Sequence, residues 1–340
     1  MLTPWEITGK GMLPPRRLLA MFITGAFSVL TVVLGNFALI RKMKQQQTGR
    51  PFKRPPRQYD LPEFRAGMKN RSSGEKYLRP TLYCDCRGPE VSALALQLGA
   101  GTKSGREFAE AAFDFTKRNI LIEIMPMDDV GCTLARGAGN CFHKTAVFVA
   151  LCRAAGIPAR FKYCSLTDME TWFGSSLQNS PLIRKWYRAM GQLLPHGEGE
   201  VLVDGVWVAA DISRSPLWQA AKSLPLTCLG ESAIGLWMTP VPGSTFIRES
   251  LPLGFGFPSR ILSRLFAGAV AGYNRGLQEQ DEIGRRVIAA AGGEAAYDAE
   301  ARRRRQPVAA KADLLRDHER IDFPGKATKR LPSRCTCSDE

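Results

Sequence analysis

Residues 137–160 read GAGNCFHKTAVFVALCRAAGIPAR. A glycine-rich loop leads directly to Cys141, and the run that follows is apolar on nearly every side over residues 146–151. A helix with apolar residues all round lies in the centre of a domain, and Gly156 followed by Pro158 is typical of a helix end. The segment therefore predicts a central buried helix that begins at Cys141, followed by a strand.

The position of Cys141 allows two interpretations. A free cysteine is often buried because it packs like a small hydrophobic residue. At a helix N-terminus, however, the thiol also lies at the positive end of the dipole, and the free backbone N–H groups there can stabilise an oxyanion. A nucleophilic role further requires a nearby base, because the reactive form of cysteine is the thiolate.

A second segment supplies a base. In VLVDGVWVAADI, residues 201–212, the dipeptide DG at 204–205 separates two alternating apolar runs, which is a strong signal for a two-residue hairpin. This turn places Asp211 opposite Glu198. If the strand extends back to His196, then His196 and Asp211 are diagonal neighbours on one face of the sheet.

The chain has three histidines, and His196 is the one with a carboxylate partner. His143 lies two residues after Cys141 on the same predicted helix, where side chains do not face each other, so we expect it at the surface of the first turn. His318 lies in the charged tail. These positions favour Cys141 as nucleophile, His196 as base and Asp211 as the group that orients the imidazole.

Both segments resemble motifs of the transglutaminase-like superfamily. GNCFHKTAVFVALCRAAGIPAR is similar to its central motif, Gly-x-Cys before a buried helix and then Arg-x-x-Gly-Ile-Pro-x-Arg, and HGEGEVLVDGVWVAAD is similar to its second block. The resemblance covers residues 78–235. It implies an α+β, papain-like core in which a central helix carrying Cys141 packs on a small antiparallel sheet carrying His196 and Asp211.

The resemblance also implies an activity. We expect a thiol enzyme that attacks an amide or peptide bond of a protein or peptide substrate and forms a thioester, without a metal or organic cofactor. Water as the acceptor gives a peptidase or amidase, which we favour, and an amine gives a cross-linking acyltransferase. The alternative is an inactive, membrane-tethered interaction module.

One residue departs from the superfamily pattern, and one role in the expected site has no residue assigned to it. The superfamily often has an aromatic residue two positions after the histidine, where this chain has Glu198. The side chain that completes the oxyanion hole is not assigned, although Asn140 is adjacent to the cysteine.

The positive charge of the chain is concentrated in two segments. The net charge is +15, and residues 41–57 carry seven Lys or Arg and no acid. Residues 301–334 carry eleven Lys or Arg and four acids, so the two segments account for +14. The remainder is nearly neutral, which argues against a nucleic-acid partner.

Residues 18–40, LLAMFITGAFSVLTVVLGNFALI, carry no charge. This run is longer than the roughly 20 residues that cross a bilayer, so it predicts a transmembrane helix. The denser basic cluster follows it, which by the positive-inside rule places the body of a single-pass membrane protein in the cytosol. We also expect the helix and the basic linker to contact membrane lipid.

The cysteines agree with a reducing compartment, since their number is nine and their density is low. Cys84 and Cys86, like Cys335 and Cys337, are separated by one residue, whereas zinc sites usually separate paired cysteines by two to four. We therefore expect no metal site at either pair.

These patterns divide the chain into five parts. They are an N-terminal segment (1–17), the transmembrane helix (18–40), a basic flexible linker (41–76), the transglutaminase-like domain (77–270), and a C-terminal extension (271–340) that is partly helical and then disordered.

Overall fold

The computed structural model describes residues 16–38, 41, 52–65, 67–166, 195–232, 236, 238, 240–241, 243–252, 254–265 and 267–304. The helices in this part are α1 (Arg16–Gly35), α2 (Pro89–Gln97), α3 (Gly105–Asn119), α4 (Val130–Arg136), α5 (Cys141–Ala154), α6 (Pro216–Ala221), α7 (Gly256–Leu265), α8 (Ala267–Ala290) and α9 (Glu294–Arg304). The strands are β1 (Leu121–Ile122), β2 (Ala138–Gly139), β3 (Ala159–Ser165), β4 (Pro195–Val203), β5 (Val206–Ala210) and β6 (Phe246–Arg248).

Four antiparallel strands form the main sheet, in the order β5-β4-β3-β6. The turn between β4 and β5 has φ values of 53° at Asp204 and 76° at Gly205, as a type I′ hairpin requires. Gly199 pairs with Ala210, which is the predicted register, and β4 begins early enough to include His196. The predicted hairpin is confirmed.

Helix α5 packs against this sheet, and every one of its residues after Cys141 is buried. Two glycines of β4 make the close approach possible. A Cβ on Gly197 would lie 2.7 Å from Cδ1 of Phe142, and a Cβ on Gly199 would lie 2.7 Å from Cδ1 of Phe148. The α+β core, with a central helix on a small antiparallel sheet, is as predicted.

The N-terminal helix α1 overlaps the predicted transmembrane segment, residues 18–40. Within the part of the chain that the structure describes, no helix combines the length and the apolar character needed to cross a membrane. The predicted transmembrane helix is therefore not supported by the structure.

Part of the predicted linker contacts the domain. The Arg54 guanidinium donates hydrogen bonds to the Glu123 carboxylate at 2.8–3.0 Å, and the Tyr59 hydroxyl donates to the Leu134 carbonyl at 2.6 Å. These contacts hold Arg54 and Tyr59 against the domain, whereas the sequence predicted a flexible linker over residues 41–76.

The C-terminal helices also belong to the packed structure. The Ser215 hydroxyl at the start of α6 donates to Asp281 of α8 at 2.7 Å, and the Tyr297 hydroxyl of α9 donates to the Leu224 carbonyl at 2.8 Å. The boundary predicted at residue 270 thus falls inside α8. Residues 305–340, which include Cys335 and Cys337 of the predicted disordered tail, lie outside the described residues.

Candidate active site

Cys141 is the first residue of α5, and Asn140 caps the helix. The Asn140 Oδ1 accepts the backbone N–H groups of Phe142 at 3.0 Å and of His143 at 3.2 Å, while its Nδ2 donates to the Met125 carbonyl at 3.2 Å. Because the oxygen and the nitrogen of its side-chain amide both form hydrogen bonds within the protein, Asn140 serves as a helix cap and is a poor candidate for the oxyanion hole.

The thiol of Cys141 lies beside β4, where the backbone N–H of Gly197 donates a hydrogen bond to it. Burial raises the pKa of Cys141, and this effect outweighs the opposing effects of the Gly197 N–H and of the Arg214 guanidinium. The resting cysteine is therefore a neutral thiol. A thiolate at this position needs a base that removes the proton.

His196 directly precedes Gly197 on β4 and is 1% exposed. Burial lowers the pKa of His196 to about 4, although the nearby Asp211 carboxylate opposes this shift. One imidazole nitrogen, one oxygen of Asp211 and one oxygen of Glu198 all lie within 4.8 Å of one another. The structure thus brings His196 and Asp211 together on one face, and it adds Glu198 to them.

The Asp211 carboxylate is held by hydroxyl groups. Its Oδ1 accepts the Ser213 hydroxyl at 2.6 Å, and its Oδ2 accepts the Thr227 hydroxyl at 3.3 Å. The Lys117 ammonium, which is fully buried on α3, donates to the Asp211 carbonyl at 2.9 Å and to Thr227 at 2.5 Å. These bonds fix both the carboxylate and the backbone at the end of β5.

A second buried lysine, Lys144, ties the first turn of α5 to the end of α3. Its Nζ donates to the Lys117 carbonyl at 3.1 Å and to the Ile120 carbonyl at 2.7 Å. Burial, followed by the proximity of Lys117, lowers the pKa of Lys144 to about 7. Sequence reasoning missed both lysines, and the signal for Lys144 was a charged residue two positions before the apolar run 146–151.

His143 is fully buried, so the prediction of a surface position is wrong. Its Nδ1 accepts the backbone N–H of Asn140 at 3.1 Å, and its Nε2 lies 3.1 Å from Oδ1 of Asp128. Gly139 makes room for the ring, because a Cβ there would collide with the His143 side chain. Both ring nitrogens are engaged away from Cys141, so His143 stabilises the helix start and is not its base.

Arg214 is another residue that the sequence did not reveal. It is 1% exposed, and its guanidinium carbon lies 4.5 Å from the centre of the Trp218 ring. Its positive charge opposes the rise that burial causes in the pKa of Cys141, and it adds to the fall that burial causes in the pKa of His196. A buried cation beside a thiol favours negative charge there, which is the charge that develops on sulfur or on a carbonyl oxygen during acyl transfer.

Comparison with known proteins is consistent with this geometry. Residues 92–212 match the model of the Transglutaminase-like superfamily. The matched range includes Cys141, His196 and Asp211, and the resemblance inferred from the two sequence motifs is confirmed over this range.

One solved structure is similar to the chain. It is described as a putative cysteine protease from Cytophaga hutchinsonii, with 19% sequence identity and a TM-score of 0.31. The similarity covers 53% of this chain, and the chain spans 55% of the length of that protein. The comparison with curated proteins gave no match.

Proposed function

We propose that the chain is a thiol enzyme that cleaves amide or peptide bonds of a protein or peptide substrate, with Cys141 as nucleophile, His196 as base and Asp211 as the residue that orients the imidazole. One observation carries the proposal. The Cys141 thiol accepts a hydrogen bond from the backbone N–H of Gly197, which directly follows His196. A nitrogen of the His196 imidazole in turn lies within 4.8 Å of an oxygen of the Asp211 carboxylate.

The reaction begins from a neutral pair, since burial disfavours the charged forms of both side chains. As the sulfur attacks the substrate carbonyl carbon, its proton passes to the imidazole, and the Asp211 carboxylate stabilises the resulting cation. The backbone N–H of Cys141, which the Asn140 cap does not use, and the charge of Arg214 stabilise the oxyanion. The imidazolium then protonates the leaving amine, and the thioester remains on Cys141.

Water resolves the thioester in the reaction that we favour. The imidazole accepts a proton from the water as its oxygen attacks the thioester carbon, and the thiol leaves with that proton. An amine in place of water gives cross-linking. We favour hydrolysis because water requires no second binding site.

A peptide library tests this function without knowledge of the natural substrate. Peptides from a digested proteome are incubated with the full chain and with Cys141→Ala, in the presence of a primary amine probe. We expect new peptide termini that depend on Cys141. Incorporation of the probe instead would show that the enzyme is a transamidase. If neither product forms, the chain is the inactive interaction module that the sequence leaves as the alternative.

For localisation we propose the arrangement predicted from the sequence, a single-pass membrane protein with the catalytic domain in the cytosol. Its lipid contacts would be made by the helix predicted over residues 18–40 and by the basic linker that follows it. The uncharged run and the basic cluster after it support this proposal. Flotation with lipid vesicles, with and without residues 1–57, tests it. Equal flotation of both forms would overturn it.

A further inference from the structure

One side chain of α8 pairs with the main chain of Ile124, close to the proposed active site. The Ile124 N–H donates to Oδ1 of Asn274 at 2.8 Å, and Nδ2 of Asn274 donates to the Ile124 carbonyl at 3.2 Å. Two antiparallel strands exchange the same two bonds at each hydrogen-bonded residue pair. The Asn274 amide thus makes the contacts that the main chain of a neighbouring extended peptide would make.

Ile124 presents these main-chain groups at the outer edge of the segment that continues β1. The preceding residue, Glu123, donates its N–H to the Gly139 carbonyl of β2 at 2.9 Å. Alternate residues of an extended chain direct their N–H groups to opposite sides, so Ile124 directs its own away from β2. An edge of this kind can bind a further strand through main-chain hydrogen bonds.

This edge runs beside the loop that ends at Cys141. β1 and β2 are parallel neighbours, and beyond β1 the Met125 carbonyl still accepts from the side chain of Asn140. A strand added at the outer edge would lie two strand spacings, about 10 Å, from the residues that lead into Cys141. About three extended residues span that distance. A peptide that pairs with Ile124 can therefore place a neighbouring bond at the thiol.

α8 also packs on the face of the sheet that carries His196. Cys164 of β3 is the strand partner of His196, so the two side chains lie on one face. Leu277 of α8 belongs to the same buried apolar cluster as Cys164. His196 and Asp211 are 1% and 0% exposed. Because a substrate cannot reach side chains buried to this degree, the structure corresponds to a closed form of the proposed enzyme.

We propose that the main chain of Ile124 is the docking position for an extended peptide substrate, and that Asn274 occupies this position until α8 moves away. The substrate is then an unfolded segment or tail that adds to the outer edge as an antiparallel strand. The effect of docking on catalysis rests on the proposed function, whereas docking itself can be measured without turnover.

Asn274→Ala exposes the docking position, and Glu279→Ala, at an exposed position of the same helix, is the matched control. The full chain and both variants are treated with p-nitrophenyl acetate and with the p-nitrophenyl ester of acetyl-tetraalanine, which alone carries peptide groups that can pair with Ile124. We expect Asn274→Ala to raise the acylation rate of Cys141 about tenfold or more with the peptide ester and about threefold at most with the acetate. Glu279→Ala should behave like the wild type with both esters.

Asn274→Asp is a milder variant, which decides the question if melting curves show that Asn274→Ala is unfolded. Its carboxylate can still accept the Ile124 N–H, but it cannot donate to the Ile124 carbonyl. We expect an increase with the peptide ester that is smaller than that of Asn274→Ala. An equal increase with both esters, or no increase with either, would overturn the proposal.

Hydrogen exchange measures docking in the absence of the nucleophile. Cys141→Ala, with and without Asn274→Ala, is exchanged in D₂O with an excess of acetyl-tetraalanine amide, and mass spectrometry follows residues 120–126. We expect the peptide to slow exchange of this segment only in the double variant, and no slowing there would overturn the proposal. If the peptide slows exchange but neither ester acylates Cys141 in any variant, the docking position is supported and the proposed function is wrong.

Discussion

The close contact between α5 and β4 predicts the effect of a single methyl group. In Gly199→Ala the new Cβ would lie 2.7 Å from Cδ1 and 3.1 Å from Cε1 of Phe148, whereas carbon atoms in good contact are about 3.5–4.0 Å apart. Phe148 is fully buried in the centre of α5. The ring cannot rotate into solvent, so the helix must move away from the sheet by nearly 1 Å.

Overpacking of this kind costs about 1–3 kcal/mol. For a domain of this size, a loss of about 2 kcal/mol lowers the melting temperature by about 4–8 °C. We expect the acylation rate of Cys141 to fall as well, because a displaced α5 moves the thiol away from the Gly197 N–H. Thermal and denaturant unfolding measure the first effect, and acylation by an activated ester measures the second.

Gly276→Ala is the matched control. Gly276 lies inside α8, and a Cβ there would have nothing within 4 Å, so this change should stabilise the chain by up to about 1 kcal/mol. Phe148→Leu should partly rescue Gly199→Ala, because the smaller side chain makes room for the methyl group. Full stability of Gly199→Ala, or additive effects of the two substitutions, would refute the reasoning.

Two further predictions concern the start of α5. Lys144→Met should flatten the pH dependence of stability. Between pH 7 and 8.5 the unfolded chain keeps the Lys144 proton, whereas the folded chain, in which the pKa of Lys144 is about 7, releases it. As the pH rises, the free energy of unfolding of the wild type should therefore increase by up to about 1.4 kcal/mol per pH unit relative to the mutant. Denaturant unfolding at several pH values measures this, and parallel slopes would contradict it. Asn140→Ala and Ser104→Ala each remove a helix cap and should each cost about 0.5–2 kcal/mol, but only Asn140→Ala should slow the acylation of Cys141. Equal acylation rates in the two variants would show that the cap does not position the thiol.

The parts of the fold that the sequence predicted correctly depend on local chemistry. The dipeptide at 204–205 adopts positive φ at both residues, which few other dipeptides tolerate, and this fixes the register of β4 and β5. The start of α5 was also predicted from local sequence, because a glycine-rich loop directly precedes Cys141 and an apolar run follows it. The hairpin positions His196 and Asp211, and the start of α5 positions Cys141.

The features that escaped prediction depend on distant contacts. His143 is buried because Asp128 contacts its ring and because Gly139, which has no side chain, leaves room for it. No local sequence pattern predicts that Asp128 lies next to His143. Lys144 is tolerated in the buried helix α5 because the carbonyls of Lys117 in α3 and of Ile120 just after α3 accept its protons. The hairpin register did place Glu198 opposite Asp211, but burial of both carboxylates beside His196 became clear only from the packing.

The central claim is that Cys141 is a nucleophile activated by His196. The most direct measurement is the reaction of the full chain with p-nitrophenyl acetate, followed by peptide mass spectrometry to locate the acetyl group. We predict rapid acetylation of Cys141 in the wild type and loss of that rapid reaction in His196→Ala, with slower labelling of the exposed Cys132 unchanged. Acetylation of Cys141 at the same rate in both proteins, or no preference for Cys141 over Cys132, would contradict the account.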